Sequence, residues 1–416
     1  MKKITAVLLG AGDRGMFAYG PFAVKNPLKL QFVAVAEPDA IKREQFRAQH
    51  SIPAEYAYAT WEDVLNRPKM ADAVFICTQD RMHFDPTMKA LELGYNVLLE
   101  KPMSNDPAEC LAMAEASEKK GLLLAVCHVL RYTRFFLAIK RLLDSGKIGK
   151  LISIQHNEDV GYYHQAHSFV RGNWRNSRET NPMILAKSCH DMDLLSWYAG
   201  SDCTRVASFG GLTHFRAEEA PSGAPARCLD GCPAERHCPY YAPKWYLTDN
   251  VGWPTSVISA DTSYQARYKA LLEGPYGRCV YQCDNDVVDH QVVITEFEND
   301  VTAAFTMCAF NKGGRSIKLM GTKGMIRGIM EKNEIEVFDF ETTNTETITV
   351  PRGVSSHGGG DFGIIEDFLD LLNHGKAESL TSGRASLQSH LMAFASEKAR
   401  VEHRVVEIAD FIKTLR

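Results

Sequence analysis

Ile4-Thr5-Ala6-Val7-Leu8-Leu9-Gly10-Ala11-Gly12-Asp13-Arg14-Gly15 decides the fold. Its first six residues are a short apolar run rich in branched side chains and read as a buried strand. The strand runs straight into a G-x-G-x-x-G turn. Gly10 permits the tight turn, Gly12 lets the backbone come close to a pyrophosphate, and Gly15 lets the next helix pack on the strand. The helix N-terminus then offers free N–H groups and a positive dipole end to phosphates. Asp13 and Arg14 lie inside the turn and belong to the same candidate dinucleotide site.

A second strand, Leu30 to Ala36, ends at Glu37-Pro38-Asp39. An acidic residue about 20 positions beyond the glycine turn accepts hydrogen bonds from the adenine ribose hydroxyls and repels the extra phosphate of NADP. Glu37 therefore favours NAD. Lys42 and Arg43 follow closely and keep NADP open, and Glu37 and Asp39 have the plainer alternative of solvating a loop.

The chain has 416 residues, too many for one ordinary core, so two domains are expected. A formal charge of −4 supplies no basic field for nucleic acid. No apolar run approaches the roughly 20 residues that span a bilayer. Lys2-Lys3 and the apolar residues after them mimic a signal peptide, but the run is short and leads into the glycine turn. A cytoplasmic location is expected.

Strand and helix patterns alternate through the first part. Residues 72–78, 96–100 and 122–128 read as strands, and 84–93 and 107–120 as helices. That alternation implies a doubly wound parallel sheet. It stops near residue 130. After a helix around 135–143, strands are expected at 151–159, 205–213, 290–297, 301–310, 316–321 and 334–340. Their close spacing implies hairpins and a large, open, mostly antiparallel sheet. Helices at 364–372 and 385–401 close the pattern. We expect a Rossmann domain over 1–130 and an α+β domain for substrate binding and oligomerisation over 131–416. Residues 215–280, rich in Cys, Pro, Gly and aromatics, read as a loop-rich insertion.

Glu100-Lys101-Pro102 at a strand end, together with the glycine turn, Glu37, Thr78 with His83, His128 followed by Arg131-Tyr132, and His190-Asp191-Met192-Asp193, resembles the glucose–fructose oxidoreductase/inositol dehydrogenase/MocA family. The resemblance covers nearly the whole chain. It implies a nicotinamide cofactor held between two domains by Gly10, Gly12, Asp13, Arg14, Gly15, Glu37, Thr78, His83, Glu100, Lys101 and His128. It also implies a small-molecule carbohydrate or polyol substrate, and a homodimer or homotetramer built through the open sheet.

Residue chemistry agrees. Lys101 lies at the carboxyl end of a parallel strand, where Rossmann ligands bind, and its ammonium can stabilise a developing alkoxide. His190 is the candidate general acid/base, because imidazole titrates near working pH. The family's usual Asp four residues before that histidine is replaced here by Ala186. Lys187 is next door and offers a second cation, while Asp191 or Asp193 offers another way to hold His190. Around 156–178 polar and aromatic groups are dense: Tyr162, His164, His167, Arg171 and Trp174 are candidate substrate contacts, suited to a sugar ring carrying an acidic group. His357 and Asp361, in His357-Gly358-Gly359-Gly360-Asp361, form a second polar loop suited to approach a pocket, with Asp361 also a possible helix cap.

Eleven cysteines in a reducing compartment are not a disulfide framework. Cys228, Cys232 and Cys238 lie close together and raise a structural zinc, against the alternative of buried free thiols.

These residues point to an NAD-dependent oxidoreductase that moves hydride between nicotinamide and a secondary alcohol of a sugar, polyol or sugar acid. The Ala186 departure keeps a second activity open: glycoside cleavage by transient oxidation and elimination, with Lys187, His164 and His167 as extra bases. A third reading is a non-enzymatic dinucleotide-binding sensor.

Overall fold

The computed structural model describes residues 2–353, 357–375 and 379–415. Strands β1 (Ile4–Leu9), β2 (Leu30–Ala36), β3 (Ala57–Tyr58), β4 (Ala73–Ile76), β5 (Asn96–Leu99) and β6 (Leu124–Val126) form one sheet in the order β3-β2-β1-β4-β5-β6. Every pair is parallel. Helices cover both faces, so strands such as β4 are buried throughout, as a continuous apolar run requires. Local capping sets the helices. The Asp39 carboxylate accepts from the Ile41 and Lys42 N–H groups at the start of α1 (Ala40–Gln49). After α2 (Phe84–Glu92), Asp106 caps α3 (Pro107–Lys120), which stops at left-handed Gly121.

The second sheet has nine strands: β7 (Leu151–Asp159), β8 (Cys203–Gly211), β9 (His290–Phe297), β10 (Thr302–Cys308), β11 (Gly314–Gly321), β12 (Gly324–Ile329), β13 (Glu334–Asp339), β14 (Thr345–Thr349) and β15 (Val406–Glu407). Their order is β14-β13-β12-β11-β7-β10-β9-β8-β15. The β7–β10 pair is parallel and the others are antiparallel. One face packs against α4 (Arg134–Asp144) and α5 (Cys189–Ala199), with Phe136, Ile139, Met192 and Leu195 meeting Ile154, Phe305 and Ile317. The other face exposes Ile152, Phe209, Val292 and Ile294.

Two late helices return to the first sheet. Ile364, Ile365, Phe368 and Leu369 of α6 (Gly360–His374) pack with Leu8, Phe32 and Phe75. Helix α7 (Gly383–Glu402) gives Leu387 and Leu391 to the first sheet's core and Met392, Ala395 and Ala399 to the second's. It thereby ties the first sheet's core to the second's.

Residues 215–280 are ordered by their own packing. Three short helices, Ala242–Tyr246, Thr255–Ile258 and Tyr264–Glu273, surround two small apolar clusters that include Phe215, Tyr240, Tyr246 and Tyr276.

Candidate active site

The glycine turn has the geometry its sequence requires. Gly10 has φ +91°, and a Cβ there would lie 2.5 Å from the Cys77 carbonyl oxygen. A Cβ on Gly12 would meet nothing within 4 Å. That open space beside a bare backbone fits a pyrophosphate, so the residues present suit a dinucleotide. Glu37 stands at the end of β2, where its Oε2 accepts from the Ala11 N–H at 2.7 Å and its Oε1 from the Asp39 N–H at 3.0 Å. Asp13 is exposed at the turn.

Arg14 is braced between two carboxylates. Its Nε donates to Glu100 Oε1 and its Nη2 to Asp361 Oδ1, each at 2.6 Å. The Tyr19 hydroxyl donates to the same Glu100 oxygen. Burial pushes the Glu100 carboxyl up, but Arg14, the Tyr19 hydrogen bond and Lys101 more than offset it and hold it ionised. Arg14 thus ties the glycine turn to the end of β5 and to α6. Thr78 is half-buried after β4, and its hydroxyl donates to the Met82 carbonyl at 3.0 Å. His83 is fully buried, with its ring between the Pro102 carbonyl at 2.7 Å and the Thr78 carbonyl at 3.1 Å. It joins the segment after β4 to the segment after Lys101.

Lys101 Nζ donates to the Ala186 carbonyl at 2.8 Å. That carbonyl ends the short helix Met183–Ala186, four residues before His190. His190 is 6 % exposed, and its Nδ1 has no hydrogen-bond partner among the described residues. Burial, then Lys101, His128, Arg315 and His357, push its pKa well below the usual imidazole range, so the ring is neutral. Neither neighbouring aspartate holds it. Asp191 pairs with Arg315 Nε and His156 Nε2, both at 2.8 Å. Asp193 takes a two-pronged contact from Arg131 at 2.7 Å. The expectation that one of them orients His190 is overturned, because both carboxylates are satisfied elsewhere. His128 is fully buried, packs edge-on against His190 at 5.7 Å, and has Nε2 3.3 Å from the Ser389 hydroxyl.

Lys187 Nζ lies 3.3 Å from Glu158 Oε1, and Arg315 Nη2 lies 2.5 Å from Glu158 Oε2. Burial pulls the Lys187 ammonium's pKa down, and the attraction of Glu158 only partly reverses this. His156, Glu158, Lys187, Asp191 and Arg315 form one buried charge cluster behind the site. Sequence reasoning missed Arg315. Its partner Glu158 faces it across the β7–β11 pairing, a relationship that only the register shows.

The expected substrate contacts divide. His164 is held neutral by burial first and then by Lys187, His167, Arg315 and Lys101 around it. Trp253 of the insertion packs edge-on against it at 5.0 Å, and Trp245 stacks on Tyr163 at 5.1 Å beside Tyr162. Three others are absorbed by packing, which corrects the expectation for them. Arg171 is 1 % exposed and donates to the Arg278 and Tyr240 carbonyls, both at 2.7 Å. His167 stacks on Tyr276 and bonds the Tyr246 hydroxyl at 2.8 Å. Trp174 Nε1 donates to Asp80 at 3.2 Å, joining the two halves of the chain. His357 Nδ1 lies 3.1 Å from Asp361 Oδ2, so Asp361 bridges His357 and Arg14.

The zinc expectation finds no support. Among the described residues no three His, Cys, Asp or Glu side chains are grouped to hold a metal ion. Cys228 Sγ accepts from Arg171 Nη2 and from the Ala242 N–H, both at 3.5 Å. Cys232 and Cys238 are free thiols.

Two family models match. "Oxidoreductase family, NAD-binding Rossmann fold" covers residues 4–128, and "Oxidoreductase family, C-terminal alpha/beta domain" covers residues 140–408. The Bacillus subtilis protein YteT, named as an oxidoreductase, is 25% identical over 351 residues, 79% of each chain. Klebsiella pneumoniae inositol 2-dehydrogenase is 27% identical over 183 residues, 42% of this chain and 50% of its own. The chain thus spans most of YteT but half of the inositol enzyme. A levoglucosan dehydrogenase in complex with NADH and levoglucosan superposes with a TM-score of 0.72 at 16% identity, covering 98% of this chain and 99% of that one. At that identity the likeness shows the fold. The chain belongs to the glucose–fructose oxidoreductase/inositol dehydrogenase/MocA family: it is an oxidoreductase with an NAD-binding Rossmann domain.

Proposed function

We propose that this enzyme moves hydride between NAD and a secondary alcohol of a sugar, polyol or sugar acid, with Lys101 and His190 handling the hydroxyl proton and Lys187 beside them. The observation that carries this reading is the pairing of a lysine ammonium, parked on a backbone carbonyl, with a neutral histidine that no carboxylate occupies. Gly10, Gly12, Asp13 and Gly15 would hold the pyrophosphate, and Glu37 the adenine ribose, which favours NAD over NADP. Thr78, Glu100, Lys101 and His128 would hold the nicotinamide end, braced by Arg14 and His83. When bound, NAD supplies the hydride acceptor.

Lys101 exchanges its bond to Ala186 for one to the substrate oxygen and stabilises the negative charge that develops there. His190 takes the hydroxyl proton, for which its neutral ring is prepared. Tyr162, His164 and the Trp245–Trp253 wall shape the sugar side and exclude water, and Lys187 adds positive charge suited to an acidic group. Relatives that are inositol and levoglucosan dehydrogenases support this substrate class.

We assign a cytoplasmic location, supported by eleven unpaired thiols. Among the described residues no helix is long and apolar enough to cross a membrane. We also assign a homodimer or homotetramer, supported by the exposed apolar face around Phe209 and Ile294. The buried bases His164 and Lys187 favour one alternative: transient oxidation followed by elimination of a glycosidic group. Incubating the protein with NAD and a panel of free sugars, sugar acids, polyols and aryl glycosides, while reading nicotinamide absorbance and aglycone release together, separates the two. NADH accumulating with a free sugar or polyol supports the dehydrogenase. Aglycone release without net NADH supports cleavage.

A further inference from the structure

We propose that His357 is the proton outlet of this site: it receives from His190 the proton that leaves the substrate hydroxyl and releases it to solvent beside Asp361. The inference rests on the hydride-transfer reading above.

Four imidazoles lie in a row. His390 and His128 have ring centroids 5.4 Å apart, His128 and His190 5.7 Å, and His190 and His357 6.3 Å. The inner end is closed. His390 Nε2 accepts the Met103 N–H at 2.8 Å, and its Nδ1 faces the Ser386 carbonyl at 2.7 Å, so both nitrogens are committed. His128 has no exposed surface, and Arg131 and Lys101 oppose a positive charge on it. His128 Nδ1 has no partner among the described residues, but a proton placed there would sit on a fully buried ring with both nitrogens of His390 already committed beyond it, so that direction leads to no outlet.

The outer end is open. The His357 side chain is 40 % exposed and lies against an Asp361 carboxylate that is fully buried. Its Nδ1 is 3.2 and 3.1 Å from the two carboxylate oxygens, and among the described residues Nε2 has no hydrogen-bond partner. Asp361 stays charged through its 2.6 Å contact with Arg14. The charged and titratable groups that face His357 are Asp361, Arg14 behind it, Asp13 of the glycine turn and His190 of α5. The spacing from His190 to His357 suits transfer through one water.

The backbone adds an independent sign. His357 has φ +50°, a left-handed conformation uncommon for a residue with a Cβ, ahead of Gly358 and Gly359 at φ +62° and +95°. Such conformations persist where surrounding structure holds a side chain in place, and they cluster at active sites.

The proton balance is simple. The substrate O–H bond breaks, the proton passes to His190, then to His357, then to bulk water. A single turnover with NAD and an accepted alcohol, in weak buffer with a pH-indicator dye, reads NADH absorbance and proton release together. The wild-type protein releases its proton in step with NADH. In His357→Gln, proton release lags NADH by about a hundredfold, the low end of what positioned proton transfer contributes. Added imidazole restores it, while NADH binding followed by fluorescence is unchanged. His357→Gly, which relaxes the left-handed backbone, gives the same lag and a larger imidazole rescue. Proton release in step with NADH in both variants would overturn the proposal. A wild-type protein that binds NADH but forms none from any alcohol would overturn the hydride-transfer reading, and this inference with it.

Discussion

Lys101 donates from its ammonium to the backbone carbonyl of Ala186, four residues before His190. A carbonyl holds the lysine without neutralising it. The cation is kept in place yet can transfer to a substrate oxygen. Lys101→Ala removes the charge-stabilising donor, and turnover should fall about 10²–10³-fold. NADH affinity, read by fluorescence titration, should stay near the wild-type value. Loss of binding in parallel with turnover would assign Lys101 to holding the cofactor instead.

His190 is neutral because burial and neighbouring cations disfavour its protonated form. Its base form therefore persists below the ordinary histidine range. The acid limb of the kcat/KM profile should lie below about pH 6.5, the usual histidine value. His190→Gln should lower kcat by about 10²–10⁴-fold and remove that limb. A limb at or above the ordinary value would contradict the assignment.

Arg315 stands between Glu158 and Asp191 in the interior. Arg315→Met would leave two buried carboxylates without their guanidinium. We expect a loss of about 3–5 kcal/mol of stability, measured by urea unfolding. Replacing Glu158 by Gln in the same background should recover part of it, because one uncompensated charge is gone.

Stability should fall on the acid side. Burial lowers both His167 and His390 to about 3. In the unfolded chain each binds a proton below about pH 6.5, so stability is intact above that value and is lost as pH falls toward the folded pKa. Each ring should contribute a loss of about 1 kcal/mol per pH unit through that window. Thermal unfolding from pH 7 to pH 5 checks this, and a Tm that does not move would contradict the buried neutral state of these rings.

What the sequence reveals of this molecule is what is local. The strand into Gly10-Ala11-Gly12, the helix over 107–120 and Glu100-Lys101-Pro102 act within a few residues of where they are written. Strand β12 escapes notice because Gly324 and Gly328 read as breakers. Gly328 is in fact the thin point where Phe135 and Ile139 of α4 meet the sheet, and a Cβ there would lie 2.8 Å from each. The Glu158–Arg315 pair depends on the register of strands far apart in sequence. Arg171, His167 and Trp174 mislead for the same reason. Their residue types suit a sugar, but their partners, the Tyr240 carbonyl, the Tyr246 hydroxyl and Asp80, are supplied by distant segments.

The most direct measurement uses an alcohol substrate carrying deuterium on the carbon to be oxidised, incubated with NAD and the wild-type protein. The account predicts stoichiometric deuterium in the reduced nicotinamide, a primary isotope effect on turnover, and loss of both signals in Lys101→Ala. Product formed with no deuterium in the cofactor would contradict it.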